Sequence, residues 1–277
     1  MFEVQHITSF DLPELAVYRT LKFQAEQREQ GIFVAESEKV TRRLLESKLG
    51  VVSVVLPEPS LPDFTEALKR RPEMVRVYCA PKALLEKLTG YAMYQGILAV
   101  GRVPAQPTLE SFIDKTDPAA RGSRPLLLVA ADGIANSQNM GVLVRNSAGF
   151  SADGLLVGEN SCSPFLRRAV AASMGTIFEF PAVDVASLAE ALKILRAHGI
   201  RCVAAHPHVN EQTSWDADFT RDCCVVFGSE GQGIRPEILD LCDEAVTIPM
   251  AGNVDSLNVG SASAVFLYEA ARQRRKG

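Results

Sequence analysis

Apolar positions follow two regimes along the chain. From Leu126 onward, short unbroken apolar runs (LLLVAA, GLLVG, RCVAA, CCVVFG and AVTIPM) alternate with stretches of helical period. Runs of that kind suit strands buried on both faces, and their alternation with helices predicts a parallel sheet covered on both sides. FEFPAV reads as a further strand. One helix is predicted after Asn139, and another over SPFLRRAVAAS with Ser163 as N-cap and Pro164 at its first position. A third covers SLAEALKILRAHG, with a Ser187–Glu190 capping box and a stop at Gly199; SLNVGSASAVFLYEAARQRRK closes the chain as a fourth.

Residues 1 to 105 are patterned in shorter pieces. AVYRTLKFQAEQREQG reads as an amphipathic helix ended by Gly31, FVAE as a strand, KVTRRLLES as a helix and VVSVVLP as a strand. APKALLEKLTG is a helix closed by Gly90, and GILAVGRV a strand. This predicts a smaller α/β unit. Between the two regimes, PAQPTLESFIDKTDPAARGSRP carries four prolines and little periodicity beyond LESFI. It reads as a linker, placing one domain at 1–105, the linker at 106–125 and a second domain at 126–277.

Composition narrows the class. The 277 residues, 47% apolar and 22% charged, describe an ordinary soluble globular protein. No run approaches the roughly 20 apolar residues of a membrane span. The N-terminus MFEVQHITSFDLPEL lacks a charged-then-apolar signal pattern. Six cysteines without a CxxC pair read as thiols of a reducing cytoplasm. The net charge of −4 argues weakly against nucleic acid, but phosphate binding depends on local basic patches. Arg42–Arg43, Arg167–Arg168 and Arg272–Lys276 are such patches, and each one alone is an ordinary solvated helix face.

Ligands of open parallel sheets bind beyond the C-terminal ends of the strands. Three polar segments fall there, ADGIANSQNMG, GSEGQG and MAGNVDSLN, and they are predicted to meet along one edge. Glycines at 228, 231 and 233 let a ligand approach the main chain. A phosphate-binding Walker loop is excluded by the missing Gly-Lys-Ser/Thr, and the glycine spacing is GxxGxG rather than the dinucleotide GxGxxG. His206 and His208 lack a third ligand nearby, so no metal is expected.

NMGVLVRNSAGF (139–150), FGSEGQGI (227–234) and IPMAGNVDSLNVGSASAVFLYEA (248–270) resemble, in order and spacing, the three signature motifs of the SpoU/TrmH branch of the SPOUT RNA methyltransferases. Those enzymes transfer a methyl group from S-adenosylmethionine to a ribose 2′-hydroxyl. GIFVAESEKVTRRLLES and LTGYAMYQGILAV are similar to segments of the L30e-like substrate-binding domain found in that family. Ser37 stands where the family usually carries glycine, and Asn136-Ser-Gln-Asn139 where an Asp-Pro commonly precedes the asparagine. The resemblance implies a homodimeric α/β domain whose C-terminus is threaded as a deep trefoil knot, a rare exception to unknotted chains. It implies cofactor contacts at Gly228, Ile248 and Leu257. It also implies active-site roles for Asn139, Arg145, Glu230, Ser256 and Asn258.

Arginine does not lose its proton in a protein, so Arg145 is read as holding the substrate phosphate and placing the 2′-hydroxyl, with the proton acceptor open. Asn139 and Glu230 would orient Arg145 and the hydroxyl, and Ser256 and Asn258 would fix the motif loop. Singly, each residue has a plainer use: Asn139 or Ser256 as a helix cap, Asn258 in a first turn, Arg145 and Glu230 on a solvated surface. The two-domain layout favours ribosomal over transfer RNA. A non-catalytic RNA-binding or ribosome-assembly protein, and a base methyltransferase of a sister branch, are the alternatives.

Overall fold

The computed structural model describes residues 1–20, 29–89, 96–114, 124–207, 212–252 and 254–275. Two units emerge, Met1–Ala105 with Phe165–Glu179, and Gln106–Pro164 with Phe180–Gly277.

The first unit is built on a five-stranded mixed sheet of order β1-β4-β3-β5-β2. Its strands are β1 (Phe2–His6), β2 (Ile32–Glu36), β3 (Val51–Leu56), β4 (Val75–Cys79) and β5 (Leu98–Arg102). β5 runs antiparallel to β2 and β3, while β1, β4 and β3 are parallel. Helices α1 (Ala16–Arg19), α2 (Glu38–Glu46), α3 (Leu61–Lys69) and α4 (Lys82–Thr89) connect them. The sequence pattern passes over β1 and β4. FEVQH is the polar, exposed edge of the sheet, and the arginine in VRVYC interrupts its apolar run. Residues 21–28 of the first predicted helix, Gly90 and residues 91–95 of the Gln-Gly segment lie outside the described residues.

Phe165–Glu179 departs from the expected boundary at 126, and its packing explains why. Phe165 and Phe178 each lie 5.3 Å from the ring of Phe33. Arg167 donates to Glu36 at 2.5 Å, and Arg43 to the Met174 carbonyl at 2.6 Å. The helix in this stretch is short, α7 (Arg167–Ala172). Its N-cap is Leu166 rather than Ser163, and it carries no side-chain cap bond.

Ser37 bears directly on stability. It caps α2 by accepting from Val40 N at 3.4 Å, yet its φ is 91°, a conformation suited to glycine. Relief of such strain is worth about 1–3 kcal/mol, and glycine at an N-cap costs only a few tenths. Ser37→Gly is therefore expected to stabilise the protein by about 1 kcal/mol, read as a higher urea midpoint at unchanged m-value.

The second unit holds a wholly parallel six-stranded sheet, as the apolar runs predict. Its strands are β6 (Leu127–Ala131), β7 (Gly154–Val157), β8 (Ala182–Asp184), β9 (Arg201–Ala205), β10 (Cys223–Phe227) and β11 (Glu244–Val246), in the order β11-β9-β10-β6-β7-β8. Helix α8 (Leu188–Ala197) is capped by Ser187, Gly199 ends it at φ 75°, and the short α9 (Pro236–Leu239) lies between β10 and β11. The stretch read as linker includes α5 (Leu109–Asp114). Its Phe112 and Ile113 are buried in this unit's core, and Phe112 occupies the space a Cβ on Gly154 would need. Residues 115–123 lie outside the described set.

Helix α6 (Ser137–Gly149) packs against the closing helix α10 (Val259–Arg274). The approach is close, since a Cβ on Gly260 would meet Val142 at 2.7 Å. Asn146 donates to the Gly260 carbonyl at 2.7 Å and to Ser263 at 2.9 Å. Phe266 fills the interior between Phe219 and Phe227, with both ring pairs edge-on.

All six cysteines are free. Burial pushes the Cys162 thiol to about 11 and those of Cys202 and Cys242 to about 12, and it also raises Cys79, Cys223 and Cys224. At pH 8 only about one Cys162 in a thousand is thiolate, the reactive form. Native protein is expected to react slowly with an aromatic disulfide reagent, and all six thiols to react at once in denaturant. A fast native class would contradict this packing.

Candidate active site

The loops after β6, β10 and β11 carry the residues singled out from sequence, because each follows the C-terminal end of a parallel strand. Asn136 begins the first of these helices: its side chain caps α6 by accepting from Gln138 N and Asn139 N. That leaves the Asn139 side chain free of cap duty, and it is buried. Asn258, not Ser256, caps α10, and its Oδ1 accepts from Gly260 N at 2.8 Å. The cap fixes which way the amide faces. Its Nδ2 then donates to Asn139 Oδ1 at 3.2 Å and to the Glu230 carboxylate. Asn139, Glu230 and Asn258, up to 119 positions apart, thus form one cluster.

Gly228 has no room for a side chain, since a Cβ would lie 2.2–2.4 Å from the Gly233–Ile234 peptide. The loop it opens closes on itself through Ser229 N to Gly233 O and Gly233 N to Ser229 O, both 3.0 Å. Beside it lies a cavity of about 270 Å³, lined by Gly228–Gly233, Ile248, Met250, Ser256, Leu257 and Phe266 among others. That is near the small end of the roughly 300–1,000 Å³ range of small-molecule pockets. Glu230 is the one carboxylate among the described lining residues, and no Lys or Arg is among them. Such a wall favours a ligand with positive charge and an apolar or aromatic body over a polyphosphate. A second cavity of about 220 Å³ adjoins it, walled by Gly133–Asn136, Asn139, Ser229, Glu230, Gly231 and Val259. Glu230 belongs to both.

Arg145 is not in this cluster. It is exposed on α6, with no hydrogen bond or ion pair among the described residues. Ser256 lines the first cavity and is likewise exposed. Among the described residues no group of three His, Cys, Asp or Glu side chains could hold a metal, and His208 is not among those residues. No helix among them is long and apolar enough to cross a membrane.

One set of residues escaped the sequence reading. Arg235 binds Asp132 through its Nε at 2.7 Å and its main-chain N–H at 2.8 Å, and Glu159 through Nη2 at 2.8 Å. The Asp132 side chain is fully buried. Partial burial works to raise the Glu159 carboxyl, but N–H donors and the Arg235 guanidinium outweigh it and hold it below the usual carboxylate range. The signal available was a charged residue directly after the β6 run, in AADG, and another directly after the glycine-rich β10 loop, in GIRP.

Residues 126–268 match the SpoU rRNA Methylase family. An uncharacterized tRNA/rRNA methyltransferase of Mycobacterium leprae (strain TN) is 36% identical over 212 residues, covering 76% of this chain and 67% of that protein. The 23S rRNA (guanosine-2'-O-)-methyltransferase RlmB of a Burkholderia species is 32% identical over 202 residues, 73% of this chain and 79% of its own. The crystal structure of the SpoU methyltransferase AviRb from Streptomyces viridochromogenes in complex with AdoMet superposes with a TM-score of 0.80 at 25% identity. It covers 95% of this chain and 98% of that one.

Proposed function

Because the chain belongs to the SpoU rRNA methylase family, we propose that it methylates a ribose 2′-hydroxyl of ribosomal RNA, with S-adenosylmethionine as the methyl donor. The observation that carries this reading is the pair of adjoining cavities with Glu230 in their common wall and Asn139 and Asn258 bonded beside it. S-adenosylmethionine supplies a methyl group on a cationic sulfonium, ready for in-line displacement. The first cavity fits it: Ile248 and Leu257 give apolar walls, Gly228 brings main chain to the ligand, and the lone carboxylate suits a positive charge.

The second cavity is then the place for the acceptor ribose. Asn139, held by Asn258, and Glu230 orient the hydroxyl, Ser256 and Asn258 fix the loop between the cavities, and rate comes chiefly from alignment. Arg145 acts by gripping the phosphate beside that ribose in a planar fork, and the proton acceptor is left unassigned.

An exposed Arg145 reaches such a cavity if two copies pair through α6 and α10. The exposed apolar side chains Val254, Leu257, Val265 and Tyr268 all belong to α10 or the loop before it. Water-facing side chains of that size on one element favour a homodimer through this face. The C-terminal trefoil knot, the L30e-like character of residues 1–105 and a cytoplasmic location belong to the same reading.

Ribosomal RNA is favoured by the relatives named for it and by a substrate unit of about a hundred residues ahead of the catalytic one. Labelled donor with ribosomal RNA, followed by mapping of 2′-O-methyl positions in RNA from a deletion strain, tests it. A deletion strain that loses no ribose methyl group would end the proposal; loss of one from transfer RNA would reassign the substrate.

A further inference from the structure

We infer that Asp132 and Arg235 form a positioning latch that holds the Glu230 loop at a set distance from Asn139, and thereby shapes the acceptor cavity. The inference rests on the functional reading above and deepens it by assigning work to residues outside the family motifs.

Three loops leave the C-terminal ends of β6, β7 and β10, and Arg235 is where they are tied. Its main-chain N–H and Nε engage both oxygens of Asp132, the first residue after β6. Its Nη2 reaches Glu159, whose other oxygen accepts from Leu188 N at 2.8 Å. The β7 loop grips the β6 loop independently: Ser161 Oγ accepts from Ile134 N at 3.1 Å, and Cys162 N donates to the Ile134 carbonyl at 2.9 Å. Among the described residues, only Arg235 joins the β10 loop to this frame by charge.

The two cavities depend on the latch to different degrees. The turn from Ser229 to Gly233 is closed by its own hydrogen bonds, so the donor cavity keeps that wall without Arg235. The acceptor cavity has walls on both loops, Gly133–Asn139 on one side and Ser229–Gly231 on the other. Loss of the latch leaves those walls tied through the Asn258 amide, which bonds Asn139 on one side and Glu230 on the other, and frees them to shift about that link. A lysine keeps the charge but lacks the planar fork that serves Asp132 and Glu159 together.

The test compares Arg235→Lys, Arg235→Ala and Asp132→Asn with the parent. The measurements are steady-state kinetics on RNA, calorimetric binding of S-adenosylhomocysteine, and amide hydrogen exchange. The expected result is a fall in kcat of about 100-fold, the cost of misplacing reacting groups by an ångström or so, with S-adenosylhomocysteine affinity within about 3-fold. Exchange should quicken at the amide of residue 235, which donates to Asp132, while the Ser229 and Gly233 amides and the independently held Ile134 amide stay protected. In a Glu230→Gln background, Arg235→Ala should cost little more, because the group it positions is already gone.

Unchanged kcat, a parallel loss of S-adenosylhomocysteine affinity, or full additivity with Glu230→Gln would each overturn the latch. If Arg235→Ala does not fold, Arg235→Lys is decided by the same measurements. If the parent transfers no methyl to ribose, the assigned reaction falls, and unaltered exchange at residue 235 would separately remove the latch.

Discussion

Arg145→Ala is expected to cut ribose methylation by about 1,000-fold while leaving S-adenosylhomocysteine binding near its parental value, since removing one charge-stabilising donor costs about 10²–10³ in kcat. The reason is geometric. Arg145 is exposed on α6, is bonded to none of Asn139, Glu230 and Asn258, and has no partner among the described residues. A guanidinium that works in the partner's cavity has a signature no buried catalytic residue can give. Neither Arg145→Ala nor Glu230→Gln alone should be active. If two copies pair as proposed, a co-expressed mixture should recover about a quarter of parental activity, because half of the two-fold dimers would be mixed and each would hold one complete site. Activity equal to the sum of the two variants would place Arg145 in its own subunit's site or outside catalysis.

What could be read from sequence follows the strength of the local signal. The β6, β7, β9 and β10 runs are continuous and apolar because both faces of the parallel sheet are covered, and such runs need no tertiary information to be recognised. β1 and β4 give no strand signal of their own because an edge strand and an arginine-bearing strand look polar locally, and pairing with neighbours makes them strands. Chain position places Phe165–Glu179 in the second domain, whereas its aromatic residues pack on Phe33, more than 130 positions away.

The site shows the same division. Asn139, Glu230 and Asn258 are visible as motif residues, but which asparagine caps a helix depends on a backbone hydrogen bond that spacing cannot resolve. Asn136 and Asn258 took the caps, and Asn139 was left for the cavity. Asp132 and Arg235 lie 103 positions apart and belong to no motif, so their pairing is legible only in three dimensions.

The second large effect is expected at the other end of the closing helix. Arg274 donates to the carbonyls of Phe219 at 2.6 Å, Arg221 at 2.7 Å, Pro125 at 3.0 Å and Leu126 at 3.1 Å. Burial pulls its guanidinium below the usual arginine value, and it stays charged because those acceptors surround it. The neighbouring Gln273 binds the Ala217 carbonyl and the Phe219 N–H, both at 2.9 Å. Together they fasten the last turn of α10 to the entry of β10 and the start of β6, the two central strands of the sheet.

Arg274→Ala takes the donor from the Phe219 and Pro125 carbonyls, while that of Leu126 keeps Cys223 N and that of Arg221 meets water, and should cost about 3 kcal/mol, the sum of one or two unsatisfied polar groups. Arg274→Lys should recover less than half of this, since an ammonium cannot serve acceptors spread across a plane. Because α10 also supplies the Asn258 cap and the Phe266 wall, the variant should lose S-adenosylhomocysteine affinity as the helix end frays. Urea unfolding followed by circular dichroism measures the first effect and calorimetry the second. A loss under about 1 kcal/mol would mean that the helix is held by its apolar face against α6 alone.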